Sequence, residues 1–518
     1  MNNADYQYNL GLKFYNIVDV FSSNIAFKYP TGASHSYSEI NACSNKIARF
    51  LLDETIGKGD VVAIFNNKSS YAYCTMLACL KIGAIYTNLD TSSPIERLRK
   101  ILETCKPAII CFDLVDPSFI NNIVAVANVG RFFELNHDEF PKMLSKFSDQ
   151  NLEETHLVNG TDPAYIMFTS GSTGFPKGAV MSHSNVLNFI QWGKQTFQVN
   201  EHDIFTNANP IYFDNSVFDF YVSIYNGATL VPLSHELVKT TKQLVEAINE
   251  SKCTIWFSVP SLLVYLLTTK ALTKNDFKTV TRISFGGEGF PKNKLQQLYQ
   301  LFGDRMSLIN VYGPTECTCI CSSYIISEKD FDNMNELAPL GYIAPNFGFE
   351  ILPLQDDNTA LGELALLGSC VGLGYYNDVE RTATSFIQNT KSSFAQIMYK
   401  TGDIVELGSN GYLYFKGRVD NQVKHMGYRI ELEEVEAAFS TLDYVNEAGV
   451  IYEKISAELG QIKAFVSLSD KTKDEQTIVN DIKKILPPYM IPRRVVIVPV
   501  LPKNNNGKID RKQLAILQ

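Results

Sequence analysis

The chain has 518 residues, too many for one hydrophobic core, so two or more folded units are expected. Hydrophobic residues make up 45% and charged residues 19%, ordinary for a soluble globular enzyme. The formal net charge of −9 argues against a nucleic-acid binder, whose affinity would rest on Lys and Arg neutralising phosphates.

The N-terminal MNNADYQYNLGLKFYNIVDVF lacks a basic region followed by an apolar block, so no signal peptide is expected. No uncharged apolar run reaches the roughly 18 residues of a membrane span, and both absences point to the cytosol. GDVVAIFNN reads as a short buried strand, and SYAYCTMLACLKIGAIY as a periodic helix running into another strand. KPAIICFD and CTIWFSVP are further buried strands. This alternation predicts layered α/β subdomains with largely parallel sheets. From about 340 to 419 the texture changes to glycine-punctuated strands, GFEILPL, GELALLG and GYLYFKG, which predict a small β-rich subdomain. Beyond it the pattern is α+β: helix ELEEVEAAFSTL, strand QIKAFVSLS, helix EQTIVNDIKKIL and strand RRVVIVPV. The polar, glycine-bounded KGRVDNQVKHMG suits a boundary near Asp420, dividing a large unit (1–419) from a small one (420–518).

Ten cysteines in a chain this long do not suggest a disulfide framework. Cys317, Cys319 and Cys321, spaced by two, are expected on one face of a strand as small core or pocket residues; metal ligation is the alternative.

YIMFTSGSTGFPKGAVMSH carries a loop of hydroxyl residues and glycines followed by Lys177. A glycine-rich loop between a strand and a helix offers N–H groups and hydroxyls to phosphate oxygens, and a lysine adds positive charge. A mononucleotide P-loop does not fit, because Pro176 precedes Lys177 and Gly178 follows it. A serine-hydrolase elbow fails because Ser170 stands where the first glycine belongs. A flexible surface loop is the bland alternative. In NVYGPTEC, Tyr312 precedes Glu316 by four residues across a Gly-Pro turn; an aromatic face can stack on a purine, and a carboxylate can hold Mg²⁺. YKTGDIVELGSNGYLYFKGRVD is expected to present Asp403 in one tight turn and Arg418 in another, an acid for ribose hydroxyls and a base beside it.

With these motifs in order, from HSYSEI through FTSGSTGFPKGAV, FDNSVFDFY, NVYGPTE, YKTGDIV and GRVDNQVKHMGYRIELEEVE to NNNGKIDR, the chain resembles adenylation domains of non-ribosomal peptide synthetases and their free-standing relatives, in the acyl-adenylate-forming superfamily. The resemblance implies a small β-barrel at 340–419 and a mobile C-terminal domain. It implies two half-reactions: a carboxylate attacks the α-phosphate of ATP, with Mg²⁺, to give an acyl-adenylate and pyrophosphate; a thiol then displaces AMP.

Carried over by motif, Thr169, Ser170, Gly171, Ser172, Thr173 and Gly174 wrap the phosphates, while Lys177 touches phosphate or braces the loop. Glu316 ligates Mg²⁺ and Thr315 reaches the α-phosphate; Tyr312 stacks on adenine against Gly287, Glu288 and Gly289. Asp403 and Arg418 serve the ribose, and Lys508 bridges the acid and the α-phosphate. Rotation about Asp420 then brings HMGYRIE to line a thiol tunnel.

Asp214 matches the aspartate that pairs with the ammonium of an amino acid, and a turn role is its structural alternative. Asn215, Phe218, Phe257, Ser284, Gly286, Val311, Cys319 and Ile320 complete the implied pocket, which suits a small or modestly polar amino acid. The chain is also similar to D-alanine–carrier protein ligases, but those typically carry cysteine where Gly286 stands, so D-alanine ranks second. Because the chain stops soon after the Lys508 loop, transfer to the phosphopantetheine arm of a separate carrier is expected. An acyl-CoA or aryl-acid ligase using free coenzyme A is the alternative.

Overall fold

The computed structural model describes residues 6–171, 174–354, 360–455, 460–470, 472–503 and 509–517. Ser172, Thr173 and Lys508 lie outside the described residues.

Two large sheets form the N-terminal part. The seven-stranded sheet runs, in space, Gly374–Tyr375, Lys177–Ser182, Pro163–Thr169, Ile85–Leu89, Val61–Phe65, Ile109–Phe112, Phe132–Glu134. Its strands Ile85–Leu89, Val61–Phe65 and Ile109–Phe112 are parallel and wholly buried, which explains why GDVVAIFNN and KPAIICFD read as unbroken apolar runs rather than alternating ones. The nine-stranded sheet runs Tyr342–Ile343, Ser322–Ile325, Ser307–Tyr312, Arg282–Gly286, Ile255–Ser258, Ile204–Asn207, Thr229–Pro232, Ile25–Lys28, Ser34–Ser36. Helices such as Ser70–Ile82, buried on every face, fill the space beside them, and one apolar core reaches from that helix to Phe257 and Val311.

The elements that build the site are numbered here in chain order. Strand β1 is Pro163–Thr169, β2 is Lys177–Ser182, and helix α1 is His183–Thr196. Strands β3, Arg282–Gly286, and β4, Ser307–Tyr312, are parallel neighbours with Gly286 opposite Val311. A five-stranded antiparallel sheet spans 347–418 and includes β5, Ile397–Leu407, and β6, Leu413–Arg418. The hairpin β7, Gln422–His425, and β8, Tyr428–Glu431, leads into α2, Leu432–Phe439. The C-terminal lobe has its own three-stranded sheet and its own core, with Ile430, Phe439, Ile462 and Ile478 fully or almost fully buried.

Three local expectations need correction. The Gly/Ser loop joins two antiparallel strands, β1 and β2, rather than a strand and a helix. KGAVMS pairs with β1 along its whole length, and the helix starts only at His183, where Ser182 and Asn185 form a reciprocal capping box. Asp403 and Arg418 are not in separate turns: they sit opposite each other on β5 and β6. The three cysteines do not share a strand face, because Thr318 between them takes φ +77°, ψ −55°. Cys317 and Cys321 turn into the core while Cys319 faces the cleft described next.

Candidate active site

A cleft of about 340 Å³ opens between the two large sheets and the C-terminal lobe. Ala208, Val259, Gly287 and Gly313 follow directly on the carboxyl ends of parallel strands, the place where open α/β sheets leave a crevice. Strand β1 contributes Phe168 and Thr169, and Ser170 follows it.

The loop after β1 is tightened by a bond from Gly174 N–H to the Gly171 carbonyl, 3.1 Å, with Gly174 at φ +77°. Thr169 lines the cleft, and its buried hydroxyl has no hydrogen-bond partner among the described residues. Lys177 sits beneath the cleft: its Nζ lies 3.7 Å from Glu316, 3.6 Å from Glu431 and 5.3 Å from the Tyr375 ring centre. Burial and nearby Arg429 push its pKa down, while the two carboxylates oppose them. In this arrangement its ammonium lies between Glu316 and Glu431, at the foot of the loop.

Glu316 is fully buried. Arg429 Nη1 donates to its Oε2 at 2.8 Å, and Tyr375 Oη to its Oε1 at 2.7 Å. Burial alone would raise the carboxyl; Arg429 and Lys177 overcome it and hold the pKa at about 2. Among the described residues no cluster of three or more His, Cys, Asp or Glu could hold a metal. Both oxygens of Glu316 are taken in this arrangement, so a Mg²⁺ ion, which needs one or two carboxylates plus waters and substrate phosphates, fits here only when Arg429 withdraws from Oε2.

Tyr312 Oη donates to Asp403 Oδ2 at 2.6 Å, and Arg418 pairs through Nη1 with the other oxygen of Asp403. The same guanidinium grips Asp420 through Nε and Nη2, at 2.6 and 2.7 Å. Lys424, from the hairpin, lies 5.7 Å from the Tyr312 ring centre. Gly287, at φ +97°, borders the cleft opposite. Glu288 does not: its carboxylate accepts from Ser261 N–H and Gly427 N–H at 2.8 and 2.9 Å. Gly289 lies outside the cleft against Leu337.

Asp214 borders the cleft, and Thr315 Oγ1 donates to it at 2.6 Å. Burial raises its pKa, the Thr315 bond opposes this, and no ion pair involves it among the described residues. Asn215, Phe257, Gly286, Val311, Cys319 and Ile320 also line the cleft. Phe218 and Ser284 do not: both are fully buried behind the wall, Phe218 edge-on against Phe257 at 5.3 Å between ring centres.

The motif residues did not single out Arg429, Lys424 or Tyr375. Arg429 stands in the GYRIE stretch just past Asp420, a signal that was present; Tyr375 gave none, because its partner Glu316 is 59 residues away. The lobe enters the cleft through Tyr428, stacked on Tyr489 at 3.8 Å and set edge-on to Phe213 at 5.2 Å.

The AMP-binding enzyme family matches residues 15–376, and its C-terminal domain matches 434–508. The D-alanine–D-alanyl carrier protein ligase of Listeria monocytogenes is 32% identical over 495 residues, 93% of this chain and 94% of that protein. The ligase of the same name from Lacticaseibacillus rhamnosus is 29% identical, covering 95% and 96%. An artificially fused adenylation–PCP di-domain of an NRPS from Klebsiella oxytoca shares the fold, with a TM-score of 0.79 at 21% identity over 95% of this chain and 94% of that one. The motif resemblance and the cleft therefore agree, and the chain belongs to the AMP-binding enzyme family of acyl-adenylate-forming ligases.

Proposed function

We propose that the protein activates an amino acid with ATP, giving aminoacyl-AMP and pyrophosphate, and then passes the aminoacyl group to the phosphopantetheine thiol of a separate carrier protein. The observation that carries the amino-acid part is Asp214, a carboxylate on the cleft wall that makes no direct ion pair among the described residues and feels Arg429 and Lys424 only at longer range. A substrate ammonium would satisfy it, and an apolar tail would leave it unpaired at a cost of several kcal/mol, of order ~3. The names of the carrier ligases at about 30% identity support the rest.

In this scheme the acid is held with its ammonium on Asp214, and its carboxylate faces the α-phosphate of ATP. The obstacle is repulsion between anions, so the residues act by positioning and by offsetting charge. Thr169 to Gly174 would hold the outer phosphates, with Lys177 bracing the loop, and Thr315 would reach the α-phosphate. Glu316 would hold Mg²⁺, which supplies positive charge to the phosphates. Tyr312 would stack on adenine, Asp403 would hold the ribose hydroxyls, and Arg418 would orient Asp403. Lys508 would bridge the acid carboxylate and the α-phosphate. The chain divides at Asp420 into an adenylation core, 1–419, and a lid, 420–518, and rotation there would exchange Lys508 for the hairpin between the two steps. The six residues that border the cleft around Asp214 favour a small or modestly polar side chain, with D-alanine among the first to test. The proposed setting is the cytoplasm, where ATP is at hand.

ATP–pyrophosphate exchange across the twenty amino acids and several D-isomers tests this directly. One amino acid should support exchange, its des-amino analogue should not, and Asp214→Ala should reduce exchange by about a hundredfold or more. Equal activity with the des-amino acid would point instead to an acyl-CoA or aryl-acid ligase.

A further inference from the structure

The loop after β1 and the C-terminal lobe also meet at an ion pair that the two-step scheme does not use. Glu434, in the first turn of α2, is 3% exposed. Its Oε2 accepts from the backbone N–H of Gly171 at 3.0 Å. Its Oε1 pairs with Nη1 of Arg97, which belongs to helix Ile95–Cys105 of the large part and is itself 8% exposed. On either side of Gly171 the contact continues. Ser170 Oγ donates to the Arg429 carbonyl at 2.8 Å, and a Cβ placed on Gly174 would lie 2.8 Å from Ala437 Cβ.

A backbone N–H has one proton to donate. In the proposed function the loop directs such protons at phosphate oxygens, yet here the Gly171 proton is on a carboxylate, which is also an anion. Two anions within hydrogen-bond reach of one donor repel, so a polyphosphate and the docked α2 are alternatives at this atom. Arg97 explains why the docked arrangement holds. Without it Glu434 would be a buried carboxylate whose only partner among the described residues is one neutral N–H, a strongly unfavourable state.

We infer that Arg97 and Glu434 are positioning residues for the thioester step. As pyrophosphate leaves the loop, Glu434 takes over the Gly171 N–H, and the pair clamps the lobe with the 425–429 turn inside the cleft. Pyrophosphate that returns displaces Glu434 and frees the lobe. No covalent bond changes; one hydrogen-bond acceptor replaces another. The inference rests on reading Ser170 to Gly174 as a phosphate loop.

Hydrogen–deuterium exchange of the 421–439 segment, followed by mass spectrometry on the full-length protein, tests it with inorganic pyrophosphate as the probe. In the wild type, millimolar pyrophosphate should speed exchange of that segment. E434Q and R97Q should exchange fast without it, with docking weakened about a hundredfold, and pyrophosphate should add nothing further. Amino-acid-dependent ATP–pyrophosphate exchange should survive in both variants, and E434D should fall between E434Q and the wild type in protection. Protection in the wild type that ignores pyrophosphate overturns the inference. So does a loss of protection in the variants spread evenly over the whole chain, which would mark a general loss of stability. A wild type that activates no amino acid but still loses protection with pyrophosphate would remove the proposed function and leave this latch standing.

Discussion

At Gly286 the shape of the cleft turns on the absence of one carbon atom. A Cβ there would overlap the Val311 carbonyl oxygen and sit 2.7 Å from Val311 Cγ2, because β3 and β4 place these two residues side by side. Gly286→Cys, which installs the residue typical of D-alanine–carrier protein ligases, should therefore lower stability by about 1–3 kcal/mol, read from the urea midpoint. It should also raise KM for the amino acid; an unchanged midpoint would show that β4 yields easily. Thr318 works in the opposite sense. A β-branched residue at positive φ is strained, yet it is fully buried and its Oγ1 donates to the Cys370 carbonyl at 2.8 Å. That strained turn sends Glu316 and Cys319 to different sides. Thr318→Val keeps the branch but orphans the carbonyl, at about 1–3 kcal/mol. If the turn serves the site, catalytic efficiency should fall while the KM for ATP and that for the amino acid both rise; a change in stability alone would contradict this. Nothing in TECTCICSSY announces a reversed turn, since Thr is among the residues least suited to it.

Elements reveal their local chemistry more readily than their partners. Helix α1 is closed at its start by the Ser182–Asn185 capping box, a local device, whereas the role of its first residue, His183, depends on a distant partner. Its Nδ1 accepts from Leu10 N–H at 3.1 Å, a contact across 173 residues, and its Nε2 has no hydrogen-bond partner among the described residues. Burial pushes its pKa from 6.5 down to about 4. The unfolded chain therefore binds a proton that the fold refuses between those two values. Stability from this site is complete above 6.5 and is lost as pH falls through that window, in total about 3 kcal/mol. His183→Asn, whose amide oxygen can stand in for Nδ1, should flatten the decline of Tm between pH 6.5 and 4. A slope equal to that of the wild type would assign the acid sensitivity elsewhere. The β1–β2 loop shows the same limit: its composition proclaimed an anion site, while its strand-to-strand setting depended on what KGAVMS paired with.

On the scale of the whole molecule, the C-terminal lobe presents Arg429 to Glu316, and Arg418 ties Asp403 to Asp420 at the proposed hinge. Asp420→Pro should stiffen that point and leave ATP–pyrophosphate exchange in place while slowing transfer to a thiol. Equal loss of both steps would count against a hinge there.

The order of the motifs, the buried strands and helices, and the chemical character of the cleft residues were all legible in the sequence by itself. Each depends on residue type, periodicity and short spacing, which local sterics translate directly into structure. Only the tertiary structure decided that Tyr312 would meet Asp403 across 91 residues, that Glu316 would be held by Arg429 across 113, and that Phe218 and Ser284 would fall behind the pocket wall. Such pairings depend on how separate sheets and a second lobe are brought together, and no local pattern encodes the distance between them.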